Sequence, residues 1–434
     1  MANKKTKISF LIFLLILVLP LAALEIKKSR NANADSIIYK GQIEERSYHP
    51  KEIVVKFKPK VSWDKVEALS TGSRTAVKDS IKTGFMEMEL FGEDKSVEDT
   101  LAEFKHNSDV EYAEPNYFVS SQMIPNDPYY SSYQWNFKEI NMEKAWDKAS
   151  GSSVIVAIID TGVAYENYGS YALAPDLAQT KFVEGYDFVN GDSHPNDDNG
   201  HGTHLAGIIA QSTNNNLGAA GIAYSASIMP VKVLDNRGKG NYYDVAKGII
   251  WATDHGAQII NLSVGGTSPA EYLKEALIYA HDHGVLVVSA SGNGGKKSIF
   301  YPAAYNEYVL SVGAVRFDST RPAYSNCGDN LDLVAPGGDT DVDQNGDGQP
   351  DGILQQTFDP SSPEKFYFYF VQGTSMSAAH ATGIAALLYS RGKADPDEVK
   401  NILVKTAKDE GPPGWDREYG YGLIDASAAL DYIN

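Results

Sequence analysis

The sequence predicts an α/β fold: a mostly parallel sheet with helices on both faces, preceded by a small ferredoxin-like α+β unit. Two observations carry this. Residues 122–434 alternate short apolar runs with longer stretches of helical periodicity, the rhythm of strand–helix–strand crossovers that build a parallel sheet. Residues 35–121 instead give a separate strand–helix–strand–helix–strand reading, in which apolar and charged residues alternate as in a half-buried strand.

In the first unit the alternation marks strands over 52–57, 84–91 and 110–119, with helices over 63–69 and 96–104. In the second, 154–159 is a strand, a helix follows His201, and 228–233 is a strand before a helix at 242–255. Strand 259–262, helix 269–283 and strands 285–289, 309–314 and 366–371 come next, then helices 375–391 and 396–406. In open sheets of this kind a site forms outside the carboxyl ends of the strands.

At 434 residues, 43% of them hydrophobic, the chain can bury a large core and exceeds one average domain. Residues 4–7 carry three lysines, 8–24 is apolar apart from Ser9, and Ala32-Asn33-Ala34 has the small-x-small form of a cleavage site. A signal peptide over 1–34 and a secreted product, extracellular or periplasmic, are expected. An uncleaved anchor is the alternative; no other stretch reaches the ~20 apolar residues of a membrane span, so no membrane association is expected after signal removal. The lone cysteine, Cys327, precludes an internal disulfide and reads as a small buried hydrophobe. The net charge of −18 resides in residues 121–434; such a surface disfavours nucleic acid.

Three short segments carry chemistry. Asp160 ends the apolar run 154–159, His201 opens His-Gly-Thr-His, and Ser375 lies in Gly-Thr-Ser-Met-Ser at the start of a helix. A serine hydroxyl needs an imidazole to take its proton and a buried carboxylate to fix that imidazole's tautomer. Each residue also has a plainer reading: a turn aspartate before Gly162, a histidine pair with His204 at metal spacing, and an N-cap serine. Asp160-Thr161-Gly162 is also the aspartic-protease motif, but it occurs once, and that chemistry needs two such aspartates.

Residues 158–162, 201–207, 291–294 and 373–380, in this order, resemble the signature blocks of the subtilisin-like serine proteases. Asp, then His, then Ser is the chain order of subtilisin itself. The stretch 126–141 resembles the start of thermitase-type catalytic domains. The resemblance implies an Asp160–His201–Ser375 triad, a structural role for His204, and an oxyanion donor at Asn293. It also implies that an extended peptide substrate adds as a strand between Ser263-Val264-Gly265 and Gly238-Lys239-Gly240. Phe300 would then floor the first specificity pocket and make it apolar and shallow. The ending of the first unit, residues 110–117, resembles propeptides of the family. An inhibitory, folding-assisting propeptide over 35–121, a catalytic domain over 122–434 and a monomeric enzyme acting on protein or peptide substrates are therefore expected. Ala379 stands where the family block usually has proline.

Calcium (Ca2+) is the expected cofactor. Asp343, Asn345, Asp347 and Asp351 have the 1, 3, 5, 9 oxygen spacing of a calcium loop, with Gly348 at position 6, but Leu354 occupies position 12. By resemblance Asp127, Asp176 and Asn215 form one calcium site, and Asp187 with Asp192 a further one. A catalytically silent calcium-binding exoprotein is the competing class.

Overall fold

The structure is a computed structural model that describes residues 48–80, 85–90, 96–117 and 123–433, so the expected signal peptide lies outside the described residues. The described chain divides into two compact units, one on each side of residues 118–122.

The first unit contains β1 (Tyr48–Phe57), α1 (Trp63–Gly72), β2 (Thr75–Ser80), β3 (Phe85–Leu90), α2 (Val97–Lys105) and β4 (Val110–Tyr117). Its antiparallel sheet has the order β2-β3-β1-β4. This is the ferredoxin-like arrangement, with one strand more than the sequence pattern revealed: β2 is Thr-Ala-Val-Lys-Asp-Ser, whose last residues are exposed. In β1, Ile53, Val55 and Phe57 point into a core with Met88, Leu101 and Phe104, as period-two alternation requires. Ser96 caps α2 by accepting from Asp99 N–H.

The second unit opens with α3 (Tyr130–Tyr133), α4 (Trp135–Glu139) and α5 (Met142–Trp146). There follow β5 (Ile155–Asp160), β6 (Lys181–Phe182), β7 (Tyr186–Asp187), α6 (His201–Ala210), β8 (Ser227–Lys232), α7 (Tyr242–Asp254) and β9 (Ile259–Leu262). Then come α8 (Glu271–Asp282), β10 (Leu286–Ala290), β11 (Val309–Val315), β12 (Leu333–Pro336), β13 (Ile353–Phe358), β14 (Phe366–Val371), α9 (Thr374–Ser390), α10 (Pro396–Thr406) and α11 (Ala426–Asp431).

The main sheet has eight strands in the order β12-β11-β10-β9-β5-β8-β6, with β7 also paired to β8, and every pairing is parallel. Alternate residues of each strand enter different cores. Val156, Ile158, Leu286 and Val288 pack with α6 and α9, while Ala157, Ile159, Val287 and Leu262 pack with α7 and α8. A strand covered on both faces is apolar at most positions, which is why these segments read as near-continuous runs. Helix α9 is buried over nearly its whole length and is built of small residues. A Cβ on Gly383 would come within 2.8 Å of Ile222, so the helix is held close to its neighbour.

One strand belongs elsewhere than its place in the alternation suggests. Phe366–Val371 pairs antiparallel with β13 in a separate two-stranded hairpin. Its aromatic alternation fits a ribbon with a half-exposed side, and the hairpin feeds directly into Gly373-Thr374-Ser375.

Candidate active site

Three neighbouring parallel strands end at one edge of the sheet and deliver the site. Asp160 is the last residue of β5, Ser263 follows β9 and Ser291 follows β10.

Asp160 is fully buried. Its Oδ1 accepts the Thr161 N–H at 2.8 Å and lies 2.7 Å from His201 Nδ1. A carboxylate can only accept, so Nδ1 carries the proton and Nε2 remains free as a base. The partner of Asp160 is thus an imidazole rather than a second carboxylate. Burial opposes the charged imidazole of His201, but the charge and hydrogen bond of Asp160 and the charge of Asp197 outweigh it and raise its pKa.

His201 starts α6, and the turn before it is tightly braced. Asp197 Oδ1 accepts the N–H groups of Asn199 and Gly200, both at 2.9 Å, and its Oδ2 accepts Thr203 N–H and Oγ1–H. Thr161 Oγ1 accepts Gly202 N–H at 3.0 Å, and a Cβ on Gly202 would lie 2.1 Å from Gly162 O. Only glycine permits that approach. His204, one turn on, is buried with Nε2 3.1 Å from Ile353 O and 3.3 Å from Tyr369 O, and burial pushes its pKa down to about 3. It is a neutral structural group tying α6 to the hairpin.

Ser375 is the second residue of α9. Its hydroxyl donates to Ser263 O at 3.4 Å, and Ser263 Oγ donates in return to Ser375 O at 3.2 Å. Among the described hydrogen bonds none joins Ser375 Oγ to His201. Ala379 is buried within α9, whose 17 residues run unbroken through that position.

Asn293 faces the start of the same helix. Its Oδ1 accepts both Thr374 N–H at 2.9 Å and Thr374 Oγ1–H at 2.8 Å. The amide oxygen is thereby occupied, and Nδ2, the group left to donate, lies beside Gly373, 3.2 Å from where a Cβ would stand.

Ser263-Val264-Gly265 runs beside residues 300–301, where Gly266 and Tyr301 exchange backbone hydrogen bonds of 2.9 and 2.8 Å. A Cβ on Gly265 would meet Tyr301 O at 2.9 Å. Gly238-Lys239-Gly240 forms a turn closed by Asp235, and Asn199 Nδ2 donates to Asn236 O at 3.1 Å, linking that turn to the loop before His201. Phe300 donates its N–H to Ser291 O at 3.0 Å, and its ring covers Gly292, where a Cβ would meet it at 2.6 Å.

The expected calcium ligands are placed as follows. Asp127 and Asp176 are buried; burial raises both, carrying Asp176 to about 7, and the charge of Asp127 adds to that rise. Asn215 Nδ2 donates to Asp176 Oδ1 at 2.7 Å. Asp187 and Asp192 are joined through backbone, and the Asp187 carboxylate accepts from Val189 and Asn190. In the 343–351 loop, Asp343, Asn345 and Asp347 close turns on Gly346, Asp347 and Gln349 N–H, while Asp351 Oδ1 is buried with no hydrogen-bond partner. Burial raises Asp351, and the charges of Asp343, Asp347 and Asp339 raise it further. Among the described residues, no three His, Cys, Asp or Glu side chains converge as a ready-made metal site. Likewise, no described helix is long and apolar enough to cross a membrane.

Asp197, Thr374 and the loop-bracing Asn326 were not visible as site residues in the sequence. Asp197 carried one signal, a Ser/Asp/Asn-type residue shortly before a helix start, and Thr374 lies inside the Gly-Thr-Ser-Met-Ser segment.

Comparison with known proteins agrees with this geometry. Residues 151–422 match the Subtilase family, and residues 36–116 match the Fervidolysin N-terminal prodomain. The chain is 37% identical over 393 residues to the thermophilic serine proteinase of Bacillus sp. (strain AK1), covering 90% of this chain and 89% of that one. It is 38% identical over 308 residues to thermitase of Thermoactinomyces vulgaris, covering 71% and 99%. Fervidolysin from Fervidobacterium pennivorans, a keratinolytic enzyme related to subtilisin, superposes with a TM-score of 0.59 at 27% identity over 90% of this chain and 62% of its own. With more than half of its length matched and such relatives beside it, the chain belongs to the subtilase family, as a subtilisin-like serine endopeptidase with an N-terminal prodomain.

Proposed function

We propose that Asp160, His201 and Ser375 form the catalytic triad, with Asn293 Nδ2 and the Ser375 N–H as the oxyanion donors. The observation that carries this is the 2.7 Å contact between His201 and a fully buried Asp160 at the sheet edge that also presents Ser263, whose carbonyl the Ser375 hydroxyl contacts. Rotation about the Ser375 Cα–Cβ bond turns its hydroxyl from Ser263 O toward His201 Nε2, a change between staggered wells. His201 takes the proton as Oγ attacks the scissile carbonyl, and Asp160 stabilises the imidazolium. The new oxyanion meets Asn293 Nδ2 and the positive end of α9. His201 then protonates the leaving amine, and water hydrolyses the acyl-enzyme by the same steps in reverse.

Substrate adds as an extended strand along Ser263, Val264 and Gly265, faced by Gly238 and Gly240, with Phe300 limiting the first pocket. The enzyme is exported by a signal peptide over 1–34. It is held inactive by a propeptide over 35–121 until it cleaves itself, and then works outside the cell as a monomer over 122–434.

Calcium stabilises the catalytic unit. Buried, mutually repelling carboxylates at Asp127 and Asp176, with Asn215, suit a hard divalent cation, as does the orphaned Asp351 oxygen beside Asp343, Asn345 and Asp347. Asp187 and Asp192 form a further candidate pair.

Expression of Ser375→Ala as the full chain tests the maturation scheme. An uncleaved precursor, lacking only the signal peptide, is expected; normal processing of that variant would mean that another protease matures the enzyme.

A further inference from the structure

The loop that presents Asn293 does not hold its own shape. Gly292 has φ +105° and Gly295 φ +59°, and residues 294–298 are exposed, so the loop has no buried side chains of its own there to set its course.

One buried side chain bonds three backbone groups of this loop. Asn326, fully buried, donates from Nδ2 to Ser291 O at 3.0 Å, and its Oδ1 accepts Gly294 N–H at 3.0 Å and Lys296 N–H at 2.8 Å. Its own N–H donates to Gly292 O at 2.9 Å, and its carbonyl accepts from Ser291 Oγ. Asn326 thus grips the chain on both sides of Asn293. The fit is close: a Cβ on Gly292 would lie 2.4 Å from Asn326 Nδ2 on one side and 2.6 Å from the Phe300 ring on the other.

We infer that Asn326 is a positioning residue for catalysis, setting where the Asn293 amide meets the oxyanion. The inference rests on the reading of Asn293 as oxyanion donor. Thr374 fixes which end of the Asn293 amide faces outward; Asn326 fixes where the backbone beneath it lies. An amide suits this task because it offers a donor and a two-lone-pair acceptor in one plane. Displacement of a catalytic group by ~1 Å can cost on the order of 10²-fold in rate, so loss of this grip should act on turnover more than on substrate binding.

The test is a double-mutant cycle in the full-length precursor, matured and counted by active-site titration, with kcat and KM measured on a peptide p-nitroanilide. Asn326→Ala should lower kcat by about 10- to 100-fold while KM stays within about 3-fold, with no shift of the acid limb of the pH profile. In an Asn293→Ala background the same change should cost less than about 2-fold, because the donor it positions is gone. An unchanged kcat in the Asn293 enzyme, or an equal loss in both backgrounds, overturns the inference while leaving the oxyanion reading intact. Full activity of Asn293→Ala alone overturns both. Should Asn326→Ala fail to mature, Asn326→Asp carries the same cycle: it keeps the acceptors for Gly294 and Lys296 N–H and sets a charged oxygen against Ser291 O in place of the donor.

Discussion

Asp160 Oδ1 and His201 Nδ1 lie 2.7 Å apart, joining the last residue of a buried parallel strand to the first residue of a helix. Each end of that contact is anchored by backbone: Asp160 through β5, and His201 through the turn gripped by Asp197. The pair therefore keeps its geometry without relying on side-chain packing at the open edge of the site.

The acid limb of activity should report this pair. The His201 pKa is raised, with the charges of Asp160 and Asp197 prevailing over burial, so the imidazole stays protonated, and unable to act as a base, to a pH above the ordinary value of about 6.5. Activity should rise only as pH passes that raised value. Asp197→Asn removes one of the raising charges and should move the acid limb of kcat/KM to lower pH. Asp160→Asn should cost on the order of 10⁴ in kcat, the figure known from the chymotrypsin triad. An acid limb that stays put in Asp197→Asn would place the titrating group elsewhere. The same raised pKa adds stability that is fully present below about pH 6.5 and is lost as pH rises through the folded value.

Phe300 should set the preference at the residue before the scissile bond. The wild-type enzyme is expected to favour small or medium apolar residues there. Phe300→Gly should shift the preference toward large aromatics, which recover roughly 1–3 kcal/mol in a deeper pocket. The ring also supports Gly292 and Gly294, so the variant should lose some turnover on every substrate. A peptide-library profile unchanged by the substitution would remove Phe300 from the pocket.

Calcium should stabilise the fold without entering the chemistry. A ligand bound only by the folded state, at 100 times its dissociation constant, contributes about 2.7 kcal/mol. EDTA should lower the thermal midpoint and speed autolysis. Asp343→Ala with Asp347→Ala should shrink the difference between midpoints with and without chelator. Identical melting curves with and without EDTA, and no calcium by elemental analysis, would make these loops plain acidic surface.

How much of this was readable in the sequence follows from what each residue does. Strands β5 and β8 to β11 and helices α6 to α10 were visible because burial on two faces, or on one helical stripe, imposes a local pattern. β12 is a four-residue stretch ending in Pro336, and β13 carries buried Gln355 and Gln356, so neither reads as a strand. Likewise β14 has a strand's composition, but no local feature tells a hairpin from a sheet member. Asp160, His201, Ser375 and Asn293 stood out because they sit in dense local motifs. Asn326 did not: its partners are backbone groups some 30 residues earlier in the chain, and contacts of that kind leave no periodicity to read.

The central claim, that Ser375 is the nucleophile of a working serine endopeptidase, is tested most directly by fluorophosphonate labelling of the mature protein followed by peptide mapping. The account predicts a single phosphonylated residue, Ser375, with proteolytic activity lost in proportion to labelling and no label on the Ser375→Ala protein. Unlabelled protein that still cleaves peptides, or a label carried by any other residue, would contradict it.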